Sequence, residues 1–183
     1  MNSKIGVDQL IKKFYTEGSD LYKILYSHSL SVANKSLEIG SLHPEMGLDK
    51  AFIYEASLLH DIGIFLTEAP DIFCFGISPY ICHGYLGHAL LSKENYPRHA
   101  LVCERHTGSG ISKERILRQK LPLPLRNMMP ISNEELLICF ADKFYSKSRL
   151  EEELSIDQIR KGISRYGDES LNNFNSMLKA FLG

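Results

Sequence analysis

The stretch Leu58-Leu59-His60-Asp61-Ile62-Gly63 sets an imidazole and a carboxylate side by side at the end of an apolar helical stripe. Phe52, Ala56 and Leu59 recur at the three-and-four spacing of one helix face. That helix begins after Asp49 and ends near His60-Asp61, where Gly63 permits the chain to turn. Two successive side chains at a helix end can still point into one cavity. Outward from this point the same periodicity recurs, and no stretch sustains strand-like alternation, so the expected fold class is all-α.

Val7, Leu10, Ile11 and Phe14 form one stripe, and Leu21, Ile24, Leu25, His28 and Val32 form another on a helix over about 21–39, with Asp20 as its cap and Gly40 as its stop. The region 62–78 has no clear period and is expected to be a partly ordered loop. Ser78-Pro79 reads as a cap with proline at the first helical position, opening a helix to about residue 94. Pro97 opens the next, which ends at His106. Ser132 with Glu135 and Ser155 with Gln158 match capping boxes, and an amphipathic helix over about 171–181 closes the chain.

Composition narrows the class. The 183 residues suit one domain, expected to span 1–183. A net charge of -1 argues against a protein held to nucleic acid by bulk charge, so no nucleic-acid partner is expected. No apolar run reaches the roughly 18 residues of a membrane span, and the opening MNSKIGVDQL lacks the apolar stretch of a secretion signal. A cytoplasmic protein without a membrane partner is expected. Cys74, Cys82, Cys103 and Cys139 form no CxxC pair and read as reduced, mostly buried thiols. No feature identifies an oligomer interface.

The informative fact is where imidazoles and carboxylates fall. His28, His60-Asp61, His83, His106 and Asp142 lie on or at the ends of five different predicted helices, each beside apolar residues. Burying six such groups without partners costs several kcal/mol each, which metal ions would offset. Imidazole with carboxylate suits Fe, Mn, Zn, Ni or Co. His88 lies five residues past His83, about 140° off its face on an ideal helix, and His43 and His99 read as solvated.

These residues carry a resemblance. Leu58 to Gly63, with the upstream His28 and the downstream Ala141-Asp142, resembles the HD superfamily of metal-dependent phosphohydrolases, in its HDIG variant. His83-Gly84-Tyr85-Leu86-Gly87, then Arg105-His106-Thr107-Gly108 and Ala141-Asp142-Lys143, is similar to the dinuclear subgroup that includes diadenosine-tetraphosphate hydrolases. The likeness covers about residues 20–150 and implies a single HD-domain helical bundle with the metal site in its core, on which helices over about 156–182 pack. It further implies that His28, His60, Asp61 and Asp142 bind one ion, and that Asp61, His83 and His106 hold a second. Two divalent ions are expected, Fe or Mn favoured, with Zn, Ni, Co or Mg as alternatives. In one departure from the pattern, many relatives carry lysine directly after HDIG, whereas this chain has Ile64-Phe65.

The implied activity is hydrolysis of a phosphate ester or anhydride of a small molecule, most plausibly a nucleotide, by a metal-activated water. Asp61, Arg105 and Lys143 are the candidate catalytic residues, and Arg105 and Lys143, beside ligands, are candidates for touching substrate anions. Residues 113–126 carry five positive charges and one negative, and Lys113, Arg115 and Arg118 are further candidate substrate contacts on a phosphate-facing lid. Two other readings use the same residues: a mixed-valence di-iron oxygenase of the HD type, and a regulatory module that binds metal without turnover.

Overall fold

Side-chain caps set most helix starts in the computed structural model, which describes residues 6–150 and 152–183. After helix α1 (Val7–Phe14), Ser19 opens the long α2 (Asp20–Ser41) by accepting from the Tyr22 amide, so Asp20 is the first helical residue and not the cap. Gly40 lies inside the helix and does not stop it. Asp49 caps α3 (Lys50–Leu59), as its short carboxylate beside free amides dictates. Further along come α4 (His83–Lys93), α5 (Pro97–Arg105), α6 (Lys113–Gln119), α7 (Asn133–Asp142), α8 (Ile156–Ile163) and α9 (Asp168–Leu182). Ser155 and Gln158 close a full capping box on α8. Ser132 caps α7, but the Glu135 side chain turns instead to the Ile131 amide and Arg105.

The fold is mostly helical but not strictly all-α. The expected loop after Gly63 carries a small sheet of β1 (Thr67–Ala69), β2 (Cys74–Phe75) and β3 (Ser78–Pro79), in the order β2-β1-β3. β1 pairs antiparallel with β2 through Glu68 and Phe75, and parallel with β3 through Thr67 and Ser78. Ser78-Pro79 therefore ends a strand and does not open a helix. Proline is tolerated there because it sits at a sheet edge, and α4 starts four residues later, after a tight turn at Tyr80–Cys82. The sheet supplies backbone partners to a segment too short for periodicity to reveal.

Two apolar clusters flank the polar centre. Phe140, on α7, meets Phe144 edge-on, Phe174 at a tilt and Phe181 in a stack, at centroid distances of 5.2, 5.6 and 5.7 Å, and this cluster joins α8 and α9 to α2, α3 and α7. Leu10, Ile11, Tyr15, Leu25, Leu59, Ile62 and Leu91 build the other, where the Tyr15 hydroxyl donates to the Ile62 carbonyl at 2.8 Å. On α2, His28 falls between Leu25 of one cluster and Val32 of the other. All four cysteines are buried and free. Residues 1–5 and 151 of the expected 1–183 unit lie outside the described residues. Among the described residues, no helix is long and apolar enough to cross a membrane.

A glycine pair fixes how α4 meets the His60-Asp61 turn. Gly63 has an ordinary negative φ, so conformational freedom is not why glycine is needed here. A Cβ at Gly63 would stand 2.3 Å from the His83 carbonyl oxygen and 2.5 Å from the Gly87 nitrogen, and one at Gly87 would stand 2.2 Å from the Cys103 Sγ. Only bare backbone lets the two segments approach closely enough to bring His83 beside Asp61. Gly63→Ala should therefore destabilise the protein by about 1–3 kcal/mol in urea unfolding, whereas Gly6→Ala, which meets nothing within 4 Å, should change it by under about 0.5 kcal/mol. Equal effects would show that the close approach is not required.

Candidate metal centre

Helix ends deliver most of the polar centre. His60 caps the C-terminus of α3 and Asp61 follows it; His83 is the first residue of α4; His106 caps the C-terminus of α5; Asp142 is the last residue of α7. His28 alone comes from mid-helix, on α2. All six side chains are buried, His60 and Asp61 completely so.

The histidine orientations follow from local backbone. The Nδ1 atoms of His60, His83 and His106 face the carbonyls of Ser57, Tyr80 and Cys103 at 2.6, 2.7 and 2.8 Å, in each case three residues back along the chain. A carbonyl only accepts, so each Nδ1 carries a proton, and in the neutral form of each ring the Nε2 lone pair faces the centre. This is the outer bonding that orients metal-binding imidazoles. The His83 and His106 Nε2 atoms then stand 3.1 Å apart. Two lone pairs at that distance repel unless a proton or a cation lies between them.

Asp61 joins two groups of donors. Its Oδ2 lies 3.2 Å from His28 Nε2 and 2.9 Å from His60 Nε2, while its Oδ1 lies 3.4 Å from both His83 Nε2 and His106 Nε2. Asp142 Oδ1 completes the first group, at 3.0 Å from His28 and 3.4 Å from His60. His28, His60, Asp61 and Asp142 form one cluster whose donor atoms all lie within 4.8 Å of one another, and Asp61, His83 and His106 form another. Both Asp61 oxygens and His60 Nε2 are buried without a well-formed hydrogen bond. Polar atoms in that condition are costly, and cations held by the two donor groups would satisfy them. The donor set therefore fits a divalent metal.

Charge is concentrated here. Burial alone would raise the Asp61 and Asp142 carboxyls, but His60 and Lys147 beside Asp61, and Lys143 and the histidines beside Asp142, hold both well below the usual range. Burial opposes the charged form of His60, yet the two carboxylates push it up to about 9. His83, also desolvated, is lowered to about 3, with the neighbouring His106 working against a second positive charge. Lys143 Nζ lies 2.6 Å from Asp142 Oδ2 and 3.2 Å from the His106 carbonyl. Lys147 Nζ lies 2.5 Å from Asp61 Oδ2.

The centre opens into a cavity of about 650 Å³, within the usual range for small-molecule sites. His83, His106, Asp142, Lys143 and Lys147 line it, and so does Arg115. The other expected substrate contacts stand elsewhere. Arg105 turns to Glu135, with Nη1 at 3.0 and 2.9 Å from its two oxygens, and ties α5 to α7 outside the cavity; an acid was near enough to capture it. Lys113 is exposed, and Arg118 points outward to Glu169 at 3.1 Å, because a short helix can turn only one face inward. His99 is buried against Phe52 and Tyr96, with Nε2 3.1 Å from Glu55, and is not solvated. Sequence reading missed Lys147. Its signal was a lysine five residues after Asp142, past a helix end where the chain turns back.

Residues 25–146 match the family model described as HD domain. Over 91% of its length the chain is 29% identical to a tRNA (cytidine(56)-2'-O)-methyltransferase from Picrophilus torridus, of which the match covers 42%. A protein of the same name from Thermoplasma volcanium is 26% identical over 92% of this chain and 45% of its own length. An uncharacterized protein from Methanocaldococcus jannaschii is 31% identical over 78% of this chain and 70% of its own. The chain thus spans less than half the length of the two methyltransferases. No solved structure gives a significant match.

A cation that satisfies buried donors binds the folded chain alone and stabilises it. Mn(II) at about 100 times its dissociation constant should add about 2.7 kcal/mol, read as a rise in melting temperature. Asp61→Asn should remove most of that rise. An unchanged melting temperature in the parent protein would contradict the cation fit.

Proposed function

We propose, from the premise that this chain belongs to the HD-domain family, that it is a metal-dependent phosphohydrolase acting on a phosphate ester or anhydride of a small molecule, with a nucleotide as the favoured substrate. The observation that carries the reading is the pair of donor groups sharing Asp61 at one end of a cavity whose wall presents two lysines. Two divalent ions held by those groups, Fe or Mn by the mixed imidazole and carboxylate chemistry, would supply Lewis acidity and a water acidified toward neutral pH.

The chain's own residues supply the remainder. Lys143 and Lys147 are desolvated, but the carboxylates beside them keep both ammonium groups protonated, and both line the cavity. Each can offer Nζ–H donors to phosphoryl oxygens, in a setting where such contacts strengthen as charge grows. Lys147 provides a cation at Asp61 in a chain where Ile64, fully buried, stands at the position many HDIG relatives fill with lysine. Tyr80, Tyr145 and Tyr166 also line the cavity and give apolar faces suited to a nucleoside. Asp61 bridges the two groups, and Arg105 acts at a distance by holding α5 against α7.

A small substrate is favoured over a polynucleotide because arginines outside the cavity are engaged by acids, Arg98 by Asp49 and Glu134, Arg105 by Glu135, Arg118 by Glu169 and Arg126 by Glu104, while Arg115 and Arg165 line the cavity itself. The methyltransferase relatives share with this chain a region that includes the metal-type cluster. We assign their methyl-transfer chemistry to the part of their length outside the match.

Phosphate release from a panel of nucleotides, dinucleotides and simple phosphoesters, with Mn(II) or Fe(II), tests the proposal. Turnover of at least one nucleotide is expected, with Asp61→Asn lowering kcat at least about 100-fold and Lys147→Met at least about 10-fold. Absence of phosphate release with every metal, or dioxygen uptake with the iron-loaded protein instead, would overturn it.

A further inference from the structure

The wall of the same cavity holds a charge that the hydrolytic reading does not use. Arg115 is only 5% exposed. Its Nε donates to Gln119 Oε1 at 3.0 Å and its Nη1 to Ser170 Oγ at 2.6 Å, both neutral acceptors. Among the described residues no carboxylate lies within 4.0 Å of the guanidinium, and its Nη2 has no protein acceptor. The neighbouring acid, Glu169, is engaged by Arg118. The Tyr166 ring centroid stands 6.0 Å from Cζ, at the edge of cation–π range.

Guanidinium stays charged inside proteins. A buried charge without a counter-ion in contact is expensive, whereas Arg105, Arg118 and Arg126 are each paired with an acid. Lys113 and Arg118, on the same helix, reach solvent, whereas Arg115 and Ser170 are both buried and both line the cavity shared with His83, His106 and Lys143. Arg165 lies exposed on the same lining, and Asp71, an exposed acid on the sheet segment, is the carboxylate outside the metal-type cluster that also borders this space.

We infer that Arg115, with Ser170, forms a second oxyanion subsite, so that the substrate carries two anionic groups: a phosphoryl group at the Asp61 centre and a phosphate or carboxylate at Arg115. The inference rests on the phosphohydrolase reading and narrows its substrate class to small bis-anionic compounds. Arg115 is here a specificity-determining residue. Planar, forked donors suit a tetrahedral phosphate or a carboxylate better than an ammonium would.

Non-hydrolysable probes separate the two ideas. Isothermal titration of the Mn(II)-loaded protein would compare alkylphosphonates with α,ω-alkane bisphosphonates of three to six carbons, and with phosphonocarboxylates of equal length. Monophosphonate binding tests the metal-centre reading, and the added gain from the second anion tests Arg115. At least one two-anion probe should bind 10-fold or more tightly than its monophosphonate, and which kind does so identifies the second group. Arg115→Met should erase that gain while leaving monophosphonate affinity within about 2-fold, and Arg115→Lys should restore part of it. If the parent protein binds monophosphonates but gains nothing from a second anion, the subsite is refuted and the hydrolase reading survives. If no phosphonate binds at all, both fall. Should Arg115→Met fail to fold, the comparison in the parent protein and Arg115→Lys decide the matter alone.

Discussion

Asp61 is the constraint on which the structure turns. A carboxylate with no exposed surface, both oxygens lacking a well-formed hydrogen bond, is tolerated only where compensating charge converges on it. His60 and the Lys147 ammonium supply that charge, and four imidazoles face the carboxylate, His28 and His60 at one oxygen and His83 and His106 at the other. Because the two oxygens face different donor groups, one side chain couples what would otherwise be separate sites. Much of the surrounding architecture consists of ways to bring those groups to it.

Those ways are simple. Three histidines sit where a helix starts or stops, and each is aimed by one bond to a carbonyl three residues back. The bond costs the ring one rotamer choice and in return fixes which nitrogen faces inward. Bare backbone at Gly63 and Gly87 then sets the spacing between the Asp61 turn and α4. Apolar clusters on both sides hold the helices rigid, so the donors are positioned before any ligand arrives, which is what pre-organised charge stabilisation requires.

How much of this was legible in the sequence depends on range. His28, His60, Asp61, His83, His106 and Asp142 could be picked out because each broke an apolar pattern at a helix face or end, and the structure brings all six together. Helix starts at Asp49, Ser132 and Ser155 were readable from capping chemistry, which is local. The small sheet was not readable, because strands of two or three residues have no period and exist only through pairing with one another. Gly63 was read as a turn residue, yet its partner in contact is Gly87, a tertiary fact. The basic stretch from Lys113 showed charge but not direction: Arg115 turned inward and Arg118 outward on one short helix. Arg105 looked like a substrate contact from its neighbour His106, and only the fold shows that Glu135 holds it.

The family match and the geometry agree on a mostly helical HD domain with a His/Asp cluster that could hold a metal, and a region similar to this chain occurs within longer chains named for RNA methylation. Anomalous diffraction from crystals soaked in Mn(II) reads out what the donors around Asp61 hold. Two peaks are expected, one among His28, His60, Asp61 and Asp142 and one among Asp61, His83 and His106, with Asp61 between them. Peaks confined to the protein surface, or none in this pit at saturating Mn(II), would contradict the account.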